Sequence, residues 1–226
     1  MLGRCLSRKI LRISLTFVLV CYLYGIDAAT NHTLGVVVHI PGTQKKPKKL
    51  MKLTIRKEKP EDFKTVFNLI EKAFENEQMS DHKEQFLVKR LRKSNAFVPE
   101  LSMVAETENK IVGHIMLTKI KIKNKSNEFD SLALAPVSVL PEFQGKGIGG
   151  KLIIESHKRA KELGHKSIVL LGHENYYPRF GYEQADKYGI ELPFEVPKEN
   201  CMVIELIENG LKGVNGIVAY PKEFNE

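Results

Sequence analysis

The stretch Ser138-Val139-Leu140-Pro141-Glu142-Phe143-Gln144-Gly145-Lys146-Gly147-Ile148-Gly149-Gly150-Lys151-Leu152 constrains this chain more than any other. An apolar run from Leu132 to Leu140 reads as a buried strand, and Pro141 stops it. From Ile148 an amphipathic pattern begins, with Leu152, Ile153, Ser156, Ala160 and Leu163 at helical spacing. The order is therefore strand, glycine loop, helix. Glycine lets backbone come close to a ligand and take up positive φ. The first free N–H groups of the helix then face that ligand, with the positive end of the helix dipole behind them. Such a place holds a phosphate or pyrophosphate. Four glycines in six residues exceed what a tight turn needs.

Three anion-binding patterns compete for the loop. Gly145 to Gly150 spells G-x-G-x-x-G, a dinucleotide fingerprint that normally sits in an alternating β/α chain. Gly145 to Lys151 spells G-x-x-x-x-G-K, but Leu152 stands where a P-loop needs Ser or Thr for Mg²⁺. The third pattern is Q-x-x-G-x-G, made by Gln144, Gly147 and Gly149, with V-x-P-x-x-Q ahead of it in Val139, Pro141 and Gln144. This arrangement resembles the acetyl-CoA pyrophosphate loop of the GNAT superfamily of N-acetyltransferases.

The chain around the loop favours the third pattern. Leu53 to Lys57 alternates as a short strand, and Lys59-Pro60-Glu61-Asp62 starts a helix with the apolar stripe Phe63, Val66, Phe67, Ile70 and Phe74. A second helix is predicted from about Asp81 to Lys93, with Phe86, Leu87 and Leu91 apolar. Glu77, Asp81, Glu84 and the run Lys89, Arg90, Arg92, Lys93 read as solvated faces. Leu101 to Glu106, Lys110 to Ile122 and Leu132 to Leu140 then form a meander, with turns at 107–109 and 124–127. A dinucleotide-binding domain would need helices between those strands. His114 reads as a satisfied structural histidine. After Gly164 ends the helix, Ser167 to Leu171 is a second buried strand, parallel to Leu132–Leu140 by the right-handed crossover rule. A strand from Cys201 to Leu206 follows a Pro-rich loop, Leu192 to Pro197.

The resemblance covers about residues 51–226, and the tail after residue 192 resembles the YhbS-like bacterial subfamily. It implies an α/β (α+β mixed) domain with the GNAT fold: a mixed, mostly antiparallel sheet with a splayed parallel strand pair, flanked by helices. It implies acetyl-CoA as co-substrate, with no metal, and transfer of the acetyl group to a primary amine by direct attack in a ternary complex. Pantetheine would pair with backbone near Val137 and Val139, and the pyrophosphate would lie on Gln144, Gly145, Lys146, Gly147, Ile148 and Gly149. The superfamily's fourth motif, roughly Y-x-x-x-G-F, is matched by Tyr177, Gly181 and Tyr182, with Tyr in place of the final Phe. That match casts Tyr177 as the acid for the leaving thiolate and Tyr176 as packing. The general base is unassigned, with His173, Glu174 and water all open. In this family the two-helix region helps to form the acceptor pocket, which brings in Phe74, Glu75 and Glu77. The acceptor, a small molecule or a protein N-terminus or lysine, stays open, as does a homodimer. An acyl-CoA-binding protein without turnover and an NAD(P)-binding oxidoreductase are the alternatives.

Charge and cysteines narrow the partners. The net charge is +8, but residues 1–50 carry +7 of it, and the remaining 176 residues hold 27 basic and 26 acidic side chains. A nearly neutral body lacks the basic excess of a domain that grips nucleic acid. Of Cys5, Cys21 and Cys201 only the last lies in the body, so it builds neither a disulfide framework nor a zinc cluster. It reads as a buried strand residue. Residues 1–50 show a basic stretch, an apolar run from Ile13 to about Ile26 and small residues after it, the parts of a signal peptide. The run is short for a membrane span, which takes about 20 residues. A Lys/Pro linker, Lys45 to Lys49, follows, and Met51 opens the first strand. We expect residues 51–226 to be the acetyltransferase domain and residues 1–50 to be an over-extended gene start or an export or anchor signal. Cytoplasmic localisation is expected because acetyl-CoA is a cytoplasmic metabolite. Secretion or membrane anchoring through residues 13–26 is the alternative.

Overall fold

A computed structural model describes residues 52–77 and 80–225. The elements run β1 (Thr54–Lys57), α1 (Phe63–Phe74), α2 (Glu84–Leu91), β2 (Phe97–Thr107), β3 (Lys110–Lys123), β4 (Glu128–Val139), α3 (Ile148–Glu162), β5 (Ser167–Leu171), β6 (Glu183–Gln184), β7 (Ile190–Glu191), β8 (Cys201–Glu205) and β9 (Gly216–Ala219). The strands form one sheet, ordered β1-β2-β3-β4-β5-β8-β6, with β9 on the far end of β3 and β7 beside β9. The β4–β5 and β7–β9 pairs are parallel and the other described pairs antiparallel. The predicted meander and parallel crossover are both present. The doubly wound sheet that a dinucleotide domain needs is not what these strands build.

Helices cover both faces. A Cβ placed on Gly113 of β3 would stand 3.0 Å from Leu152 and 3.2 Å from Ile148, so α3 lies close over that face. His114, the next residue, points the other way, towards Glu58, Arg92 and Ser102 on the side of α1 and α2. The main core joins α1, α2 and α3 to β2–β5. A second apolar cluster, including Ile120, Val169, Ile190, Cys201 and Val218, sits under the C-terminal strands.

Several expectations need correction. The second helix is shorter than Asp81–Lys93, because His82 takes a positive φ of 58° and Asp81 Oδ1 accepts the Lys83 N–H, at 3.0 Å. These two features make a turn, not a first helical turn. Phe86 is 45% exposed and rests its ring on Phe67, while Leu163 is 44% exposed at the end of α3. Glu77 and Glu84, read as solvated, are buried, and burial pushes both carboxyls up from the usual range. Arg92, also read as solvated, closes a buried ion pair with Glu58 at 2.5 Å.

Candidate functional site

The site is built where β4 and β5 part. Their parallel register holds only at Leu132↔Ile168 and Ala133↔Val169. Beyond that point β4 stays on β3, and the β3–β4 register shifts between Ile115↔Val137 and Leu117↔Leu134. Three steps along β4 there oppose two along β3, so Ala135–Pro136 form a bulge. Pro136 explains its place: a proline cannot donate to the ladder and is confined within sheets to edges and bulges. A bulge bends its strand, and this one bends β4 where β5 stops following it.

The backbone past the bulge faces the gap. Leu140 N–H donates to Val112 O at 3.0 Å, so Leu140 and, two residues back, Ser138 direct their groups to β3. Alternation then turns the N–H and C=O of Val137 and Val139 away from β3, towards the space β5 has left. The Val139 carbonyl is taken by Gln144, whose side-chain N–H donates to it at 3.0 Å. The side chain of Gln144 therefore ties the loop to the strand end.

The loop itself is shaped by two positive φ values, 70° at Gly145 and 75° at Gly147. Gly147 caps α3, and the first hydrogen bond of the helix is Lys151 N–H to Gly147 O at 3.1 Å. The amides of Ile148, Gly149 and Gly150 stand ahead of that ladder, at the positive end of the helix. Ile148 buries its side chain, so only its backbone is offered. Lys146 lies 4.7 Å over the Phe143 ring and donates to Glu142 O at 2.6 Å.

Across the gap, Gly172 follows the last residue of β5. Its N–H donates to Asn200 O and its C=O accepts from the Asn200 side chain, both at 2.9 Å. A Cβ on Gly172 would run into the Tyr177 ring, so the glycine is what lets that ring lie across the strand end. Tyr177 begins a single 3-10 turn, Tyr177–Phe180, closed by Gly181 at φ 92°. It is fully buried, with its ring centroid 5.2 Å from Tyr176 and 5.5 Å from Tyr182, both edge-on. Tyr176 packs under the Arg179 guanidinium, 4.3 Å from its ring. The Tyr182 hydroxyl meets His157 Nε2 of α3 at 3.0 Å, and burial lowers the His157 pKa to about 4 and raises that of Tyr182. His173 Nδ1 accepts the Asn175 N–H at 3.2 Å and lies 3.6 Å from Glu174. Cys201 is buried on β8, and burial pushes its thiol up to about 12, which disfavours the thiolate.

One buried cluster escapes the sequence reading. Glu58 accepts from Arg92 at 2.5 and 3.1 Å and from Ser102 Oγ at 2.6 Å, and Ser102 Oγ lies 3.2 Å from His114 Nε2. This is not a nucleophilic triad, because the carboxylate binds the serine and not the far ring nitrogen. His114 Nδ1 and Ser138 Oγ, on paired residues, are buried without a hydrogen-bond partner, so His114 is only half satisfied. Burial, the larger effect, lowers the His114 pKa to about 4 despite the neighbouring Glu58. The signal in sequence is slight: His114 in an otherwise apolar strand, and Arg92 at the end of a basic run. Among the described residues no group of three or more His, Cys, Asp and Glu could hold a metal. No helix among them is long and apolar enough to cross a membrane, and the apolar run 13–26 lies outside the described residues.

Comparison with known proteins finds N-acetyltransferases. A family model described as an acetyltransferase (GNAT) domain matches residues 54–185. The uncharacterized N-acetyltransferase YjhQ of Escherichia coli K12 is 38% identical over 119 residues, covering 52% of this chain and 66% of YjhQ. The uncharacterized N-acetyltransferase YhbS of the same strain is 26% identical over 174 residues, 76% of this chain and 99% of YhbS. The crystal structure of E. coli YhbS in complex with CoA superposes with a TM-score of 0.71 at 25% identity, covering 80% of this chain and 96% of that one. A GNAT family acetyltransferase from Brucella melitensis, in complex with acetyl-CoA, does so at 0.64 and 34% identity, covering 76% and 98%.

Proposed function

This chain belongs to the GNAT family of N-acetyltransferases, and on that premise we propose that it transfers the acetyl group of acetyl-CoA to a primary amine by direct attack in a ternary complex. The observation that carries the proposal is the parting of β4 from β5 beyond Ala133 and Val169, directly before the glycine loop of α3. It leaves the edge groups of Val137 and the N–H of Val139 for an amide-bearing arm, and the amides of Ile148 to Gly150 for a pyrophosphate. The relatives crystallised with CoA and with acetyl-CoA support the choice of ligand.

Each residue then has a task. Gly145 and Gly147 hold the backbone open for close approach, with Lys146, Ile148 and Gly149 contributing amides. Gln144 fixes the loop against Val139. Backbone N–H groups at the parting polarise the thioester carbonyl and hold the oxyanion. The amine nitrogen forms the new C–N bond and the C–S bond breaks. The acceptor ammonium first loses one proton to solvent or to a base that we leave unassigned, and the free amine then attacks. Tyr177 gives its proton to the departing thiolate and regains one, through solvent, from the nitrogen that becomes the amide. No protein nucleophile is needed. Tyr176 packs. The reaction needs acetyl-CoA from the cytoplasm, and we place the enzyme there, with residues 51–226 as the working domain.

The test is binding followed by turnover. Acetyl-CoA, and not NAD(P)H, should raise the melting temperature of the purified protein, and CoA thiol should be released on addition of amines from a varied panel. Binding without thiol release from any amine would leave an acyl-CoA-binding protein instead. A chain starting at Met51 should bind acetyl-CoA as the full chain does, because every residue named in the site lies after it.

A further inference from the structure

Beside the parting strands lies a cavity of about 440 Å³ that the acetyl-transfer chemistry does not use. It is formed by β7, the Pro-rich loop after it and the start of β8. Its volume is in the range of small-molecule sites. The floor is apolar, with Ile190, Leu192, Phe194, Val196 and Cys201. The rim is acidic, with Asp186, Glu191 and Glu195 against a single Lys198. Lys198 lies 3.7 Å from Asp186, which leaves Glu191 and Glu195 without an ion-pair partner among the described residues.

The cavity's position connects it to the reaction centre. Cys201 on its floor is the cross-strand partner of Leu171, the last residue of β5. Directly opposed residues share a face, and Cys201 belongs to the apolar cluster that contains no residue of α3. α3 packs on the other face and neither α1 nor α2 contributes to this cluster, so an acceptor can approach over this part of the sheet. From the gap beyond β5 to this floor is about two strand spacings, roughly 10 Å.

We propose that this cavity receives the far end of the acceptor, and that the acceptor is a small molecule carrying a second cationic group, joined to the attacking amine by an apolar spacer. The proposal rests on the acetyl-transfer reading given above. The spacer lies on the apolar floor, which excludes water from it. The second cation reaches Glu191 and Glu195, two carboxylates whose charge no described residue neutralises. An acceptor with a carboxylate at the far end is repelled by the same pair. The attacking amine is a different nitrogen and becomes the amide, while the second cation keeps its protons throughout.

The experiment uses the full chain loaded with CoA and two probes of equal length, 1,6-diaminohexane and hexylamine. Isothermal titration at low salt should show the diamine binding about tenfold more tightly, the upper range of what two exposed ion pairs supply. The preference should shrink as salt is raised. The Glu191→Gln, Glu195→Gln double variant should bind the two probes equally and bind CoA as before, since both residues lie outside the glycine loop and the parting strands. Equal affinity in the unaltered protein, or a preference that survives in the double variant, overturns the cavity assignment and leaves acetyl transfer standing. Failure to bind CoA, or to release thiol from acetyl-CoA with any amine, overturns acetyl transfer and is read without reference to the two probes.

Discussion

Under α1 and α2, polar side chains of β2 and β3 close on one another around Glu58; at the end of β4, polar backbone groups are left facing a gap. The two places share strands, since Ser138 pairs with His114 of the closed cluster and stands between Val137 and Val139 of the open edge. In the closed cluster almost every polar atom is answered within the protein, and charges are held apart from water. In the open edge the bulge at Ala135–Pro136 removes a partner strand, and no other described strand replaces it. A folded chain leaves backbone groups unanswered only where something else answers them. On the proposed reading the first place serves stability and the second ligand binding, and substitutions should separate the two.

Tyr177 should show the largest effect on the open side. Tyr177→Phe keeps the ring over Gly172 and removes only the O–H, so folding and acetyl-CoA affinity should survive. The single-turnover rate should fall by about 10²–10⁴-fold, the usual contribution of a general acid or base. Tyr176→Phe should fall much less. A full rate in Tyr177→Phe would make this residue a wall and return the proton to water.

On the closed side, Arg92→Met should do the reverse. It leaves Glu58 buried beside Ser102 without its cation, which costs about 3–5 kcal/mol. For a domain of this size the melting temperature should drop by roughly 6–20 °C. The fraction that stays folded should bind acetyl-CoA normally. A loss of affinity larger than the loss of stability would show that the closed cluster supports the open edge, and the division would fail.

How much of this contrast is legible in the sequence follows from its physical range. The open edge is local: strand, proline, glycines and helix follow one another from Glu128 to Glu162, and each leaves its mark on composition. Even its bend is legible, once Pro136 inside an apolar run is weighed as a bulge. The closed cluster joins Glu58 to Arg92, Ser102 and His114 across separate elements. A charged residue on or just past a helix reads as solvated whatever it later meets. Glu77 and Glu84 mislead for the same reason. Strands β6, β7 and β9, with two to four residues each, are too short to carry a period.

Acid should act on the closed side. His114 titrates near 6.5 when unfolded and near 4 when folded, so the unfolded chain binds the extra proton between those values. Its contribution to stability is complete above pH 6.5 and is lost as the pH falls towards 4, by about 3 kcal/mol. His157 adds a loss in the same window. Denaturant titrations across pH 4–7 should show the slope, and His114→Gln should make it shallower by about one proton. An unchanged slope would exonerate His114.

Gly147→Val tests the loop. A Cβ there meets nothing within 4 Å, so the folded protein has room for the side chain. What it resists is the φ of 75°, at a cost of roughly 1–2 kcal/mol. The collision falls on the ligand, which must approach the same backbone. That collision should lower acetyl-CoA affinity about tenfold or more, while the backbone strain lowers the melting temperature by only a few degrees. Unchanged affinity would remove this loop as the pyrophosphate site.

Gln144 should show the smallest effect, and it bears on where the contrast is drawn. Its side chain is spent on Val139 O, so on the proposed reading its part in binding is to hold the loop against the strand end. Gln144→Ala leaves that carbonyl to water at the edge of the gap, at a cost of about 0.5–1.5 kcal/mol. The amides of Ile148 to Gly150 are fixed by the helix and stay where they are. Affinity for acetyl-CoA should therefore fall only a few-fold, less than in Gly147→Val. Gln144→Glu sharpens the test, because a carboxylate cannot donate to Val139 O and also repels a pyrophosphate. It should lose more than Gln144→Ala, and the excess should shrink in high salt. If Gln144→Ala alone costs as much as Gly147→Val, the side chain touches the ligand directly. The open edge would then extend beyond the backbone to include one side chain that, with nothing bound, is turned inward to the strand.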